Sequence, residues 1–236
     1  MNNKIIENLM KEAIEYKRLP QIQRVCLPVW NQPFFYKIDK AKVITLSYNP
    51  TDKGARTNYP YYVRQYTQNG YLDTNTILDI LYNFKKEEYW RKNYDLIFNI
   101  IGIDEEEIAH MDVSFFPYKT LNDYKNLEYL DDTKQFLLKT VDLLSNQLKY
   151  IFIDGARNRD ILYKIINKDY SLIDRTQLPV NNSGHYHDLL IYKHNIKDLY
   201  VIYFGCFLYG STCPSSEKMK SLAYYIKEKT KWNRII

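Results

Sequence analysis

Glycine and proline are scarce in this chain of 236 residues, at 7 and 8, and no segment is biased enough in composition to read as low-complexity. Long disordered linkers are thereby excluded, and residues 1–236 are expected to form a single, largely ordered domain. Cysteine is scarcer still. Cys26, Cys206 and Cys213 are odd in number and contain no Cys-x-x-Cys pair, so this chain alone supplies neither a disulfide framework nor a four-thiolate metal or iron–sulfur site. No run of about 18 apolar residues occurs, and the amino-terminal stretch Met1-Asn-Asn-Lys-Ile-Ile-Glu-Asn8 carries charge where a signal peptide needs an apolar core. The expectation is a cytoplasmic chain that neither is secreted nor spans a membrane.

Tyrosine is abundant, at 24 residues, and the net charge is +5. Tyrosine packs well in half-buried sheets and helices and also stacks on nucleic-acid bases; at this abundance packing must account for most of it. Lysine is spread along the whole chain, as on a solvated surface, so charge alone does not identify a partner.

Periodicity supplies the organisation. Ile5, Ile6, Leu9, Met10, Ala13 and Ile14 fall at helical spacing. The segment from Gln21 to Asp39, with Trp30, Phe34, Phe35 and Tyr36, is too apolar for an exposed loop, so residues 1–40 are expected to pack on the sheet. Lys42–Ser47 reads as a short buried strand, closed by Asn49-Pro50, which cannot continue a central strand. Helices are expected from Thr57, over Asp73–Tyr89 and over Trp90–Ile101, with Ile103–Glu107 as a further helical first turn. Ala109–Pro117 reads as a strand running into an aromatic turn, and Asp112 within it is unusual, because a carboxylate in a sheet needs a specific partner. A helix over Asp131–Leu148, a strand over Lys149–Asp154, the turn Gly155–Arg159 and a helix over Asp160–Asn167 follow. Ser171–Thr176 reads as a strand, Tyr186–His194 and Asp198–Phe207 as an edge hairpin, and Ser215–Lys229 as a closing helix that buries Met219, Leu222, Ala223 and Ile226.

Strand, polar turn and helix recur, and such crossovers build a parallel sheet whose turns gather along one edge. The expected fold is a three-layer α/β/α sandwich around a central, mainly parallel four-stranded sheet. Its strand ends would bring Asn49, Asp112, Gly155 and the Cys213 loop to one region, where open α/β sheets place their ligands.

The ordered set Tyr48-Asn49-Pro50 after a strand, Asp112-Val-Ser-Phe-Phe-Pro117 at a strand end, and Gly210-Ser-Thr-Cys-Pro-Ser-Ser216 before a closing helix resembles the motifs of the uracil-DNA glycosylase superfamily. The first is similar to the Gly-Ile-Asn-Pro motif of its mismatch-specific branch, which implies that Asn49 positions the attacking water. The second implies that Asp112 reads the flipped base, with Tyr48, Pro50, Phe115 and Phe116 around it. The third takes the place of His-Pro-Ser-Pro or Asn-Pro-Ser-Gly, which implies that Cys213 stands at the departing base and that Gly210, Ser211, Thr212, Pro214, Ser215 and Ser216 hold the DNA strand. Two departures are plain. Cys213 replaces histidine and stabilises an anion poorly as a thiol, and Asp112 replaces asparagine, so when ionised it accepts hydrogen bonds but donates none. That suits an amino-bearing base edge better than the edge of uracil.

The resemblance implies a DNA glycosylase that removes a damaged or deaminated base, with DNA as partner, no cofactor, no metal and a monomeric state. The alternatives are a catalytically silent member that binds nucleic acid or a nucleotide, and a hydrolase or transferase acting on free nucleosides. Arg157 and Arg159 beside Gly155 are candidates for phosphate contact. His185-Tyr-His187 would put two imidazoles on one face of a strand, as in a metal pair, but lacks an apparent third ligand, and Cys213 beside His110 or His194 would be a nucleophile with nothing local to activate it.

Overall fold

The structure, a computed structural model, describes residues 41–47, 91–104, 107–112, 130–180, 185–205 and 215–230. The helices expected before residue 90, the aromatic segment within residues 1–40, and the residues Tyr48, Asn49, Pro50, Phe115, Phe116 and Gly210–Pro214 lie outside the described residues. In chain order the described elements are β1 (Val43–Ser47), α1 (Arg91–Ile101), β2 (Ile108–Asp112), α2 (Leu130–Leu144), β3 (Tyr150–Asp154), a short 3-10 turn (Ala156–Asn158), α3 (Arg159–Ile165), β4 (Tyr170–Val180), β5 (His185–His194), β6 (Tyr200–Phe204) and α4 (Ser216–Lys229).

Among the described residues the sheet has six strands, in the order β2-β1-β3-β6-β5-β4. β2, β1, β3 and β6 run parallel, whereas β5 is antiparallel to both β6 and β4. The expected four-stranded sheet is therefore corrected to a mixed sheet in which four parallel strands are extended by an antiparallel pair. The hairpin of β5 and β6 forms as expected, but β6 is an interior strand and β4 closes the described sheet on that side. The reason is in β6 itself: Tyr200, Val201, Ile202, Tyr203 and Phe204 are all buried, the uninterrupted apolar run of a strand covered on both faces.

Strand alternation divides the core. Val43, Tyr150, Phe152, Tyr200, Ile202, Phe204, Leu189 and Ile191 point to one face, where α1 contributes Ile97, Phe98 and Ile101 and α4 contributes Met219, Leu222, Ala223 and Ile226. The intervening residues Ile44, Leu46, Ile151, Ile153, Val201 and Tyr203 are buried on the other face. There the Arg159 guanidinium at the start of α3 lies 5.8 Å from the centre of the Tyr203 ring, and Lys134 of α2 pairs with Asp160 of α3. Helices thus cover both faces. Among the described residues no helix is long and apolar enough to cross a membrane.

At the end of the Ile103–Glu107 segment the Glu107 backbone N–H donates to the Asp104 carbonyl at 2.9 Å, a tight helical-type turn that leads into β2. Glu107 also pairs with Lys42 ahead of β1, while the Lys42 backbone N–H donates to the Glu107 carbonyl at 2.8 Å, so Glu107 ties the starts of two neighbouring strands.

The orientation of α4 follows from its far end. Tyr150, the first residue of β3, hydrogen-bonds the Thr230 side chain at 2.9 Å. The Ser215 end of this helix of roughly 21 Å therefore points toward the carboxyl ends of the parallel strands. Ser215 is its cap, its side chain accepting the Lys218 backbone N–H.

Two predictions arise from the frame. Because the Thr230 hydroxyl already donates to the Ile226 carbonyl at 2.8 Å, Tyr150 must be the donor in its bond to Thr230. Burial pushes the Tyr150 hydroxyl well above the usual tyrosine range. Burial and then the bond to Asp174 push Tyr225 up to about 12. Both groups stay protonated in the folded chain at a pH where the unfolded chain has begun to lose those protons, so stability is complete below about pH 10 and falls as pH rises above it. Tyr150→Phe should cost about 1 kcal/mol at neutral pH and flatten the alkaline fall, as read from urea midpoints across pH.

Gly155, directly after β3, has φ 91° and ψ 134°, a conformation that a side chain resists. Gly155→Ala should lower stability by about 1–3 kcal/mol in urea unfolding.

Candidate functional site at the carboxyl edge of the sheet

Register sets the site. Ser47 of β1 is paired with Asp112 of β2, Leu46 with Ile153 of β3, and Asp154 with Phe204 of β6. The last residues of all four parallel strands therefore lie in one row, Asp112, Ser47, Asp154, Phe204, at about 4.8 Å per strand. Four chain segments leave from a width of roughly 15 Å. The first is Tyr48-Asn49-Pro50, the second Val113–Pro117, the third the Gly155 turn, and the fourth the residues that follow Gly205 and precede Ser215 at the start of α4.

Of the residues singled out in the sequence, the backbone of Asp112 stands in this row, Arg157 lies in the 3-10 turn after β3, and Ser215 and Ser216 open α4. Asn49 follows the row's Ser47 by two residues.

The β3–α3 turn is the best-defined part of the edge. Gly155 donates its N–H to the Phe204 carbonyl at 2.9 Å, locking the turn to β6. Asn158 is fully buried and donates from Nδ2 to the Asp154 carbonyl at 2.7 Å, yet its Oδ1 is buried with no hydrogen-bond partner among the described residues. An unmet acceptor of this kind costs about 1–3 kcal/mol unless water or a ligand supplies a donor. Asp154 is also fully buried at the strand end. Its pattern in the sequence, a carboxylate closing an apolar strand, is the same as that of Asp112 and was the signal available for it.

Asp188 of β5 is the residue that sequence reasoning missed. Its carboxylate accepts from Arg159 at 2.5 Å and lies 3.6 Å from Arg175 of β4, and its carbonyl accepts the Gly205 N–H at 2.7 Å. A Cβ at Gly205 would come within 3.1 Å of the Asp188 backbone nitrogen, so a larger residue there would need β5 to give by a few tenths of an ångström. Burial is the largest influence and lowers the Arg159 pKa, but the hydrogen bond to Asp188, together with the nearby Tyr203, Tyr163 and the Asp188 charge, outweighs it and shifts the guanidinium upward. Arg159 is thus one arm of an ion-pair cluster while its side chain remains 44% exposed.

Among the described residues no three His, Cys, Asp or Glu side chains gather as a metal site would require. His194 lies at the amino end of β6, where its Nδ1 accepts the N–H groups of Ile196 and Lys197 at 3.1 and 3.2 Å; Cys213 lies outside the described residues.

No protein-family model matches this sequence, and no curated protein matches it either.

Proposed function

We propose that the protein is a DNA glycosylase-like hydrolase that uses the carboxyl edge of its sheet to release an altered base. The observation that carries this reading is the strand register. It makes Ser47, which leads into Tyr48-Asn49-Pro50, the direct neighbour of Asp112, level with the exits of β3 and β6.

Breaking an N-glycosidic bond needs a base drawn out of the stack, a water aligned on the sugar carbon and stabilisation of the charge that builds on the leaving base. In this reading Asn49 orients the water. The water oxygen bonds to the sugar C1′, the C1′–N bond breaks with its electron pair leaving on the base, and the proton from the water passes to solvent or to the base. Asn49 cannot itself take that proton, so the departing base supplies most of the drive. Asp112 accepts hydrogen bonds from the base, with Phe115 and Phe116 as its stacking walls. The Gly210–Ser216 loop and the first N–H groups of α4 hold the strand.

A second reading, a silent glycosylase-like binder of nucleic acid or a nucleotide, is favoured by one feature: Cys213 and Asp112 both replace the residues that the resemblance expects. One experiment separates the two. Oligonucleotides carrying uracil, hypoxanthine, xanthine or an alkylated adenine are incubated with excess protein, and abasic sites are scored by alkaline strand scission. Scission with at least one substrate supports the hydrolase. Binding to every oligonucleotide without scission of any overturns it in favour of the binder.

A further inference from the structure

The β4–β5 hairpin runs past the row of strand ends, since Leu189 is level with Phe204 and His185–Asp188 lie beyond it. Its side toward α3 is built from alternate residues of β5, Tyr186, Asp188, Leu190 and Tyr192, with Gln177 opposite Asp188 and Arg175 opposite Leu190. Arg159 and Tyr163 of α3 border the same side. Arg159 reaches Asp188 from α3 and Arg175 reaches it from β4, and Tyr163 follows Arg159 by one turn of α3.

Two properties of this side point to one partner. Tyr163 and Tyr186 expose 58% and 61% of their surface. The ion-pair cluster is layered: Asp188 is 18% exposed, whereas Arg159 and Arg175 are 44% and 62% exposed. The carboxylate lies beneath and fixes two guanidiniums that face outward, so the surface presents positive charge and aromatic rings on a rigid strand pair. Tyr186 and Tyr192 are separated by roughly 20 Å along β5, with Arg175 between them. Rings that accept unpaired bases, interleaved with guanidiniums that meet phosphates, are what a single strand requires, whereas a duplex keeps its base faces stacked inside.

We propose that this side of the hairpin is a single-stranded nucleic-acid platform leading to the carboxyl edge. It binds unmodified strand and does not depend on whether that edge breaks a glycosidic bond.

The test is fluorescence anisotropy with a fluorescein-labelled oligodeoxynucleotide of ordinary bases, single-stranded and as the matching duplex, over a salt series. The single strand should bind more tightly than the duplex. The double variant Tyr163→Ala, Tyr186→Ala should weaken single-strand binding by about tenfold or more, and Arg175→Gln should reduce the salt slope by about 0.7. Tyr224→Ala, at an equally exposed tyrosine on α4, should change nothing. Absence of binding, preference for duplex, or affinity unmoved by the hairpin and α3 variants would overturn the platform. Loss of abasic-site formation with single-strand binding intact supports the platform and contradicts only the hydrolase.

Discussion

Asn49→Ala is expected to lower the single-turnover rate of base release by about 100-fold while leaving DNA affinity close to that of the unaltered chain. The size of the effect reflects what an amide does in the proposed reaction. It contributes no proton transfer, only the position of a water against the sugar carbon, and losing such positioning typically costs about two orders of magnitude. The split between rate and affinity is the informative part. A residue that only bound DNA would weaken the complex and leave the rate of the saturated protein unchanged. Rapid-quench measurement of abasic product at saturating protein reads the rate, and anisotropy reads the affinity.

The second large effect lies in the core. Phe152→Ala should destabilise the protein by about 3–5 kcal/mol, the cost of deleting a fully buried aromatic ring and leaving a cavity. Phe152 is at the centre of β3, and its ring meets Phe98 of α1 edge-on at 5.2 Å, Phe204 of β6 stacked at 5.9 Å and Tyr150 at 5.8 Å. The ring therefore joins the α1 layer to the two strands whose ends, Asp154 and Phe204, form half of the row at the carboxyl edge. Thermal unfolding followed by circular dichroism should show a midpoint lowered by roughly 6–20 °C, given about 2–4 °C per kcal/mol for a chain of this size. A change of less than about 1 kcal/mol would mean that the packing around β3 does not hold the sheet as described.

Several elements were legible because their physics is local. The stripe Met219, Leu222, Ala223 and Ile226 was readable at helical spacing, and all four residues are buried in α4. The apolar runs before Ser47 and Asp154 were readable as strands, and both are interior. The placement of β4 was harder. It extends over Tyr170–Val180, well beyond Ser171–Thr176, and it is interrupted by a register shift between Leu172 and Asp174 that breaks the alternation on which a strand reading depends. Leu172 and Ile173 are both substantially exposed, so no apolar face marks this strand in the sequence.

The ion-pair cluster was illegible for a different reason. Arg159, Arg175 and Asp188 come from α3, β4 and β5, and only the register of the hairpin brings them together. A one-residue slip would turn Asp188 to the opposite face, and no local pattern forbids it. The carboxyl edge is intermediate: the order of strands and turns announced it, while the level row of Asp112, Ser47, Asp154 and Phe204 needed the pairing itself.

The most direct measurement of the proposed function compares single-turnover release of an amino-bearing altered base, such as an alkylated adenine, with release of uracil, in the unaltered chain and in Asp112→Asn. The chain with Asp112 should release the amino-bearing base faster, and Asp112→Asn should shift the preference toward uracil, because an amide donates a hydrogen bond that an ionised carboxylate cannot. Release of neither base by either protein, with DNA still bound, would contradict the account.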